Sequence, residues 1–120
     1  MIQTKRVYEK PSRGDGFRVL VDRLWPRGLT KERAAVRLWL KDVAPSTELR
    51  KWFAHDAARW KEFQVRYRKE LGGKKDALKL LKEKSQAETV TLLYGARDKE
   101  RNEATVLKRI LEGRTTKKKS

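Results

Sequence analysis

There is no cysteine anywhere in the 120 residues. That excludes disulfides, a cysteine nucleophile and thiolate metal sites. With a single histidine, His55, a His-based zinc or iron centre has too few ligands. Long apolar runs are missing as well. None approaches the ~20 residues of a membrane-spanning helix, and the N-terminal segment lacks the apolar core of a signal peptide. The expectation is a cytoplasmic protein with no membrane partner. No P-loop and no G-x-G-x-x-G pattern occurs, so no nucleotide cofactor is implied. Nor is there an internal repeat with a period of roughly 20–50 residues. Acidic residues are scarce relative to basic ones: 16 Asp and Glu face 32 Lys and Arg, for a net charge of +16. A charged, thermophile-like surface would explain the 40% charged residues but not the two-to-one imbalance. A field of this sign draws in anionic small molecules and polyanions.

What the chain does contain is enough for one core. Its apolar fraction is only 38%, but four Trp, three Tyr and three Phe supply large interior side chains. The length is that of one domain. We expect residues 1–113 to form it and residues 114–120 to be a disordered basic tail.

The stretch from Phe17 to Gly28 organises the rest. Phe17-Arg18-Val19-Leu20-Val21 reads as a buried strand. It runs into Asp22-Arg23 and then Trp25-Pro26-Arg27-Gly28, where Pro26 stiffens the loop. Residues 2–9 alternate weakly and predict an edge strand. Thr30 can cap a short helix reaching Ala35. Residues 36–44 are ambiguous between strand and helix, with the Val36, Leu38, Leu40 alternation favouring strand. Pro45 blocks a continuing helix and Ser46 is a good N-cap. Trp60, Phe63, Tyr67 and Leu71 form one helical face, after Asp56 as cap and before Gly72-Gly73. A further helix is expected from Lys74 to about Lys84. Thr89 to Tyr94 is the second clear strand. Asp98 would then cap a final helix with Glu100 in its first turn. Strands separated by helices predict a small three-layer α/β sandwich. Its mostly parallel sheet of about four strands would carry helices on both faces.

In such folds ligands lie beyond the carboxyl ends of the strands. Three of the expected strands end in charged pairs: Asp22-Arg23, Lys41-Asp42 and Arg97-Asp98. If they are neighbours, these charges gather at one sheet edge. Arg23, Arg27 and Arg97 could fork onto a phosphate or carboxylate. Asp22 or Asp42 could act as base, or hold Mg²⁺ through waters and a substrate phosphate. Trp25, Ser46, Asp98 and Asn102 complete the candidate ligand-binding set. Each has a plainer role. Ser46 and Asp98 serve as helix caps, Asp22-Arg23 and Arg97 as an ion-pair network, Trp25 as a cover on the core, and His55 as a surface or capping residue. No nucleophile-elbow pattern supports a Ser-His-Asp triad. The alternative partner is nucleic acid, bound non-specifically by basic helix faces and by Lys117, Lys118 and Lys119. Oligomeric state is not legible.

Four segments carry a family resemblance: Arg18 to Gly28; Leu38-Trp39-Leu40-Lys41-Asp42-Val43-Ala44-Pro45-Ser46; Leu49 to Phe53 with His55-Asp56; and Thr91 to Tyr94 with Ala96-Arg97-Asp98. Together they resemble the YeaO-like family, a branch of a bacterial and archaeal family of unknown function, over about Val7 to Leu111. The resemblance implies a small cytosolic α/β protein and no particular reaction. Relatives often carry a His-Asn pattern after the Ala-Arg-Asp motif. Here Arg101-Asn102-Glu103 keeps only the asparagine. The basic tail is a second departure.

Overall fold

The computed structural model describes residues 1–113. Four strands form one sheet: β1 (Ile2–Arg6), β2 (Phe17–Leu20), β3 (Leu38–Trp39) and β4 (Val90–Tyr94). Their spatial order is β1-β4-β2-β3, and every pairing is parallel. Among the described residues five α-helices accompany them: α1 (Lys31–Ala34), α2 (Thr47–Phe53), α3 (Trp60–Leu71), α4 (Lys75–Ala87) and α5 (Glu103–Leu111). The expected α/β class and mainly parallel sheet are therefore found. The last β-strand is inserted between the first two, which puts the exits of β2 and β4 side by side.

Side-chain alternation sorts the two faces. Ile2, Val19, Val21, Val90, Leu92 and Tyr94 point to one side, against α2, α3, α4 and α5. There an aromatic row runs through Phe53, Phe63 and Tyr67. The Phe53 and Phe63 rings stack at 4.4 Å, and Tyr67 follows Phe63 at 5.5 Å. The second face is covered more thinly, by α1 and loops. Val7, Leu20, Ala34 and Leu93 pack there under Trp25 and Trp39, whose rings meet edge-on at 5.4 Å.

A buried ion pair stands at the centre of that thin face. Arg18 donates from Nη1 to Asp15 at 2.5 Å, from Nη2 to the Ala34 carbonyl and from Nε to the Ala35 carbonyl. Asp15 also receives Lys5 and the Ser12 backbone N–H, while its own carbonyl accepts the Thr91 hydroxyl. One cluster thus ties β1, β2, β4, α1 and the crossover between the first two strands. Gly16 is required beside it. With φ 62°, any Cβ there would lie 2.3 Å from the Thr89 carbonyl oxygen.

Several boundaries differ from the sequence reading. Residues 36–44 split between both expectations: a two-residue strand, then a 3₁₀ turn over Lys41–Val43. Asp56 caps a 3₁₀ turn, Ala57–Arg59, that feeds α3 rather than α3 itself. Helix α4 continues three residues past Lys84. The clearest correction concerns Asp98. Its carboxylate accepts the backbone N–H groups of Glu100 and Arg101 and closes a local turn. The cap of α5 is Asn102, whose Oδ1 accepts the Thr105 N–H at 3.0 Å. Short-range turn chemistry claimed the aspartate before the helix began. The Lys117–Lys119 segment and the expected basic tail lie outside the described residues.

Asp15 offers a test. Desolvation alone would raise its pKa. Hydrogen bonds from the Ser12 N–H, Lys5, the Ser12 hydroxyl and Arg18 outweigh that and hold it at about 2. The carboxylate has almost no accessible surface, so desolvation is the largest single effect on it, and only the hydrogen bonds taken together exceed it. Because the folded pKa lies below the unfolded one, this stabilisation is present above about pH 4 and is lost as pH falls through about 2, amounting to about 2 kcal/mol. We expect Asp15→Asn to lack this component of the acid transition. At neutral pH, Asp15→Ala and Arg18→Ala should each cost about 3 kcal/mol in urea unfolding, with the double variant costing clearly less than the sum.

Candidate functional site

Where β2 and β4 end, the chain places two carboxyl groups together. Asp22 follows β2 and accepts the Gly95 N–H at 2.8 Å through Oδ2. Gly95 follows β4, and the approach is so close that a Cβ there would stand 2.9 Å from the same oxygen. Glu103 comes from the first turn of α5 and lies against Asp22. Part of the Glu103 side chain reaches solvent, but its Oε2 is sealed. Among the described residues this is the one buried side-chain polar atom without a hydrogen-bond donor.

Two effects compete at Glu103. The N-terminus of α5 favours a negative charge by about 0.3–1 kcal/mol. Burying an unpaired carboxylate costs several kcal/mol. Burial wins. It pushes the Glu103 carboxyl well above the usual carboxylate range, helped by the Asp22 charge and a hydrogen bond shared with Asp22. A protonated Glu103 also explains the missing donor, because its own O–H then supplies the proton between the two groups. The effect extends to Tyr67, whose phenol is raised by burial and then by the charges of Glu103, Asp22 and Glu70. Its hydroxyl donates to the Val43 carbonyl.

Asp22 and Glu103 line a cavity of about 190 Å³ between the strand ends, α2 and α5. Phe53 and Phe63 form an apolar wall, and Arg23, Arg50, His55 and Asn102 complete the polar lining. Arg23 is largely engaged, donating from Nε to the Pro45 carbonyl at 3.0 Å and from Nη2 to Ala44 at 3.3 Å. Asn102 is buried and spends both ends of its amide on Thr105 and on the Asp98 carbonyl. Arg50 is different. It is exposed on α2, and its guanidinium makes no hydrogen bond or ion pair with any described residue. Ala54 and His55 turn the chain after α2 with successive positive φ angles of 47° and 57°. This backbone costs about 1 kcal/mol or more per residue and brings His55 to the cavity.

Of the residues expected at the site, Asp22, Arg23 and Asn102 share this cavity. Asp42 and Ser46 do not. They border a separate hollow of about 300 Å³ with Arg23, Glu70 and Lys74. Ser46 is occupied there, accepting the Leu49 N–H and donating to Glu70 at 2.6 Å. Trp25 covers the opposite sheet face and donates to the Leu29 carbonyl. Arg27 and Arg97 are exposed and outside the cavity, and Asp98 closes its turn. Among the described residues no group of three or more His, Asp or Glu side chains is placed to hold a metal ion. Glu103 and Arg50 were not anticipated. Asn102-x-x-Thr105 is a usable cap signal for the first, since it puts Glu103 in the first turn. Nothing local distinguishes Arg50 from other surface arginines.

Comparison with known proteins gives a consistent picture. Residues 1–120 match a family described as the inactive DUF488-N3 subclade. Uncharacterised proteins of Mycobacterium tuberculosis and Mycobacterium bovis are 43% identical over 113 residues, covering 94% of this chain and 95% of theirs. The uncharacterised protein YeaO of Escherichia coli is 42% identical over 106 residues, covering 88% of this chain and 92% of its own. No solved structure matches.

The raised Glu103 has a signature in stability. Its folded pKa lies above the unfolded one, so its contribution is intact below about pH 4 and declines as pH rises towards the folded value. Wild-type protein should therefore lose melting temperature as pH rises above about 5 by a component that Glu103→Gln lacks. Differential scanning calorimetry of the two proteins across that range checks this. Parallel curves would mean that Glu103 is ionised throughout.

Proposed function

This chain belongs to the DUF488-N3i family, described as the inactive DUF488-N3 subclade, and on that premise we propose that it binds a small anionic molecule without turning it over. One observation carries the reading. Arg50 stands at the wall of the cavity with its guanidinium unengaged, whereas the cavity's other arginine, Arg23, is held by backbone carbonyls. Unengaged Arg forks suit a phosphate or carboxylate. The setting favours it too. The cavity lies at the carboxyl ends of parallel strands, and the net charge of +16 raises the local concentration of anions. With Glu103 protonated, Arg23 and Arg50 outweigh the single charge of Asp22. Asp22 would be a candidate base in an enzyme. Binding without turnover accords better with the family's description, and with an Asp22 oxygen already committed to Gly95.

Non-specific nucleic-acid binding is the second reading. A groove of about 560 Å³ along α5 favours it, lined by Trp60, Lys99, Arg101, Lys108 and Arg109. Three of these cations are partly engaged, Arg101 by Asp98, Arg109 by Gln64 and Lys99 by Glu9, and Glu100 and Glu112 share the lining. We therefore rank it below the cavity.

Arg50→Ala decides between them. The substitution is on the surface and should change stability by no more than about 0.5 kcal/mol. It should abolish stabilisation by small carboxylates or phosphate in calorimetric titration, and leave oligonucleotide binding unchanged. Retained anion binding in this variant would overturn the cavity reading. Binding of oligonucleotides alone, weakening linearly with log salt, would favour the groove.

A further inference from the structure

Resting on the binding reading above, we propose that the cavity takes a small zwitterion of the amino-acid type. Its ammonium would lie against the Asp22–Glu103 carboxyl pair and its acid group against Arg50. The cavity is bipolar. Neither Asp22 nor Glu103 makes an ion pair with any described residue, and Glu103 Oε2 meets no donor at all. Arg50 lines the same cavity and makes no ion pair with either carboxyl, so an arginine and an acidic pair share one lining. A ligand that bridges them needs N–H donors at one end and an acid at the other. An ammonium has three donors, enough for two carboxyl groups at once. A plain anion would satisfy Arg50 and leave the acidic end as it is. A plain cation would do the reverse.

Size narrows the class further. A volume of about 190 Å³ equals roughly six waters of bulk liquid. That suits a molecule of amino-acid size and falls short of the usual range for larger ligands. Phe53, Phe63 and Pro45 give the wall an apolar side for a short side chain.

Proton bookkeeping follows from the same geometry. The titratable or charged groups facing Glu103 are Asp22 and Arg23 from the β2 exit, Arg50 and His55 from α2 and its end, Tyr67 from α3 and Tyr94 from β4. In the empty cavity Glu103 holds a proton towards Asp22. When the ammonium arrives, its N–H groups take over that contact and the Glu103 proton leaves to solvent. Binding should therefore release about one proton per ligand at pH values where Glu103 is protonated in the free protein.

The test is titration calorimetry on the full chain in two buffers of different ionisation enthalpy. The probes are glycine, alanine and phenylalanine, each beside its acid-only analogue (acetate, propionate, 3-phenylpropionate) and its amine-only analogue (methylamine, ethylamine, phenethylamine), with inorganic phosphate added. We expect at least one amino acid to bind about tenfold or more tightly than both truncated forms. That ligand should release about one proton. Glu103→Gln should bring it level with its acid-only analogue and remove the proton release. Asp22→Asn serves as a second variant if the first does not fold. Equal binding of acid-only and amino forms would overturn this inference and leave the anion reading standing. Equal binding of amine-only and amino forms would overturn both. No binding by any probe, phosphate included, would also defeat both.

Discussion

Asp15 and Arg18 meet under the thinner face of the sheet, and much of the fold depends on how they are satisfied. A buried ion pair is not in itself a source of stability, because desolvating two charges offsets their attraction. Here the remaining donors and acceptors are nearly all used. Arg18 closes the α1 carbonyls at Ala34 and Ala35, and Asp15 collects Lys5 and the Ser12 N–H. The pair therefore fixes where α1 sits on β2 and where the first crossover passes over β4. That crossover inserts β4 between β1 and β2 and brings Gly95 against Asp22.

The site inherits its character from that neighbourhood. A parallel sheet leaves its strand exits on one edge, and α5 returns to the same edge with Glu103 in its first turn. The outcome is an electrostatic conflict at Asp22 and Glu103 that retention of a proton resolves. In the same cavity wall an arginine is left without a partner. Groups that stabilise the fold, such as Ser46 with Glu70, are mutually engaged. Arg50 is not, and Glu103 Oε2 meets no donor; this contrast separates scaffold from candidate site more sharply than charge does.

Legibility followed the range of the interactions. Strands β2 and β4 were readable because burial on both faces demands continuous apolar runs. Helix α3 was readable from its 3.6-residue aromatic and aliphatic spacing. Thr30 and Ser46 were identifiable as caps because capping reaches only three residues. Asp98 misled for the same reason. Two local motifs competed for one aspartate, and the nearer turn prevailed over a helix that starts at Glu103. Residues 36–44 were split because a two-residue strand and a 3₁₀ turn are too short to show either period. At the site, Asp22 and Arg23 announced themselves by following a strand. The pairing of Arg18 with Asp15 was not legible, since no local pattern reveals that a loop will fold down over a strand.

By itself, then, the sequence determined the α/β class, the main strands and helices, the lack of thiol chemistry and the basic field around the molecule. Each of these follows from composition or from contacts within a few residues. The tertiary structure decided the strand order, the burial of Asp15 with Arg18, and the meeting of Asp22 with Glu103, 81 positions apart. Burial and pairing over such separations depend on where the sheet places its edges. Protonation in turn depends on burial, so the chemical state of the site was settled only once the chain had folded.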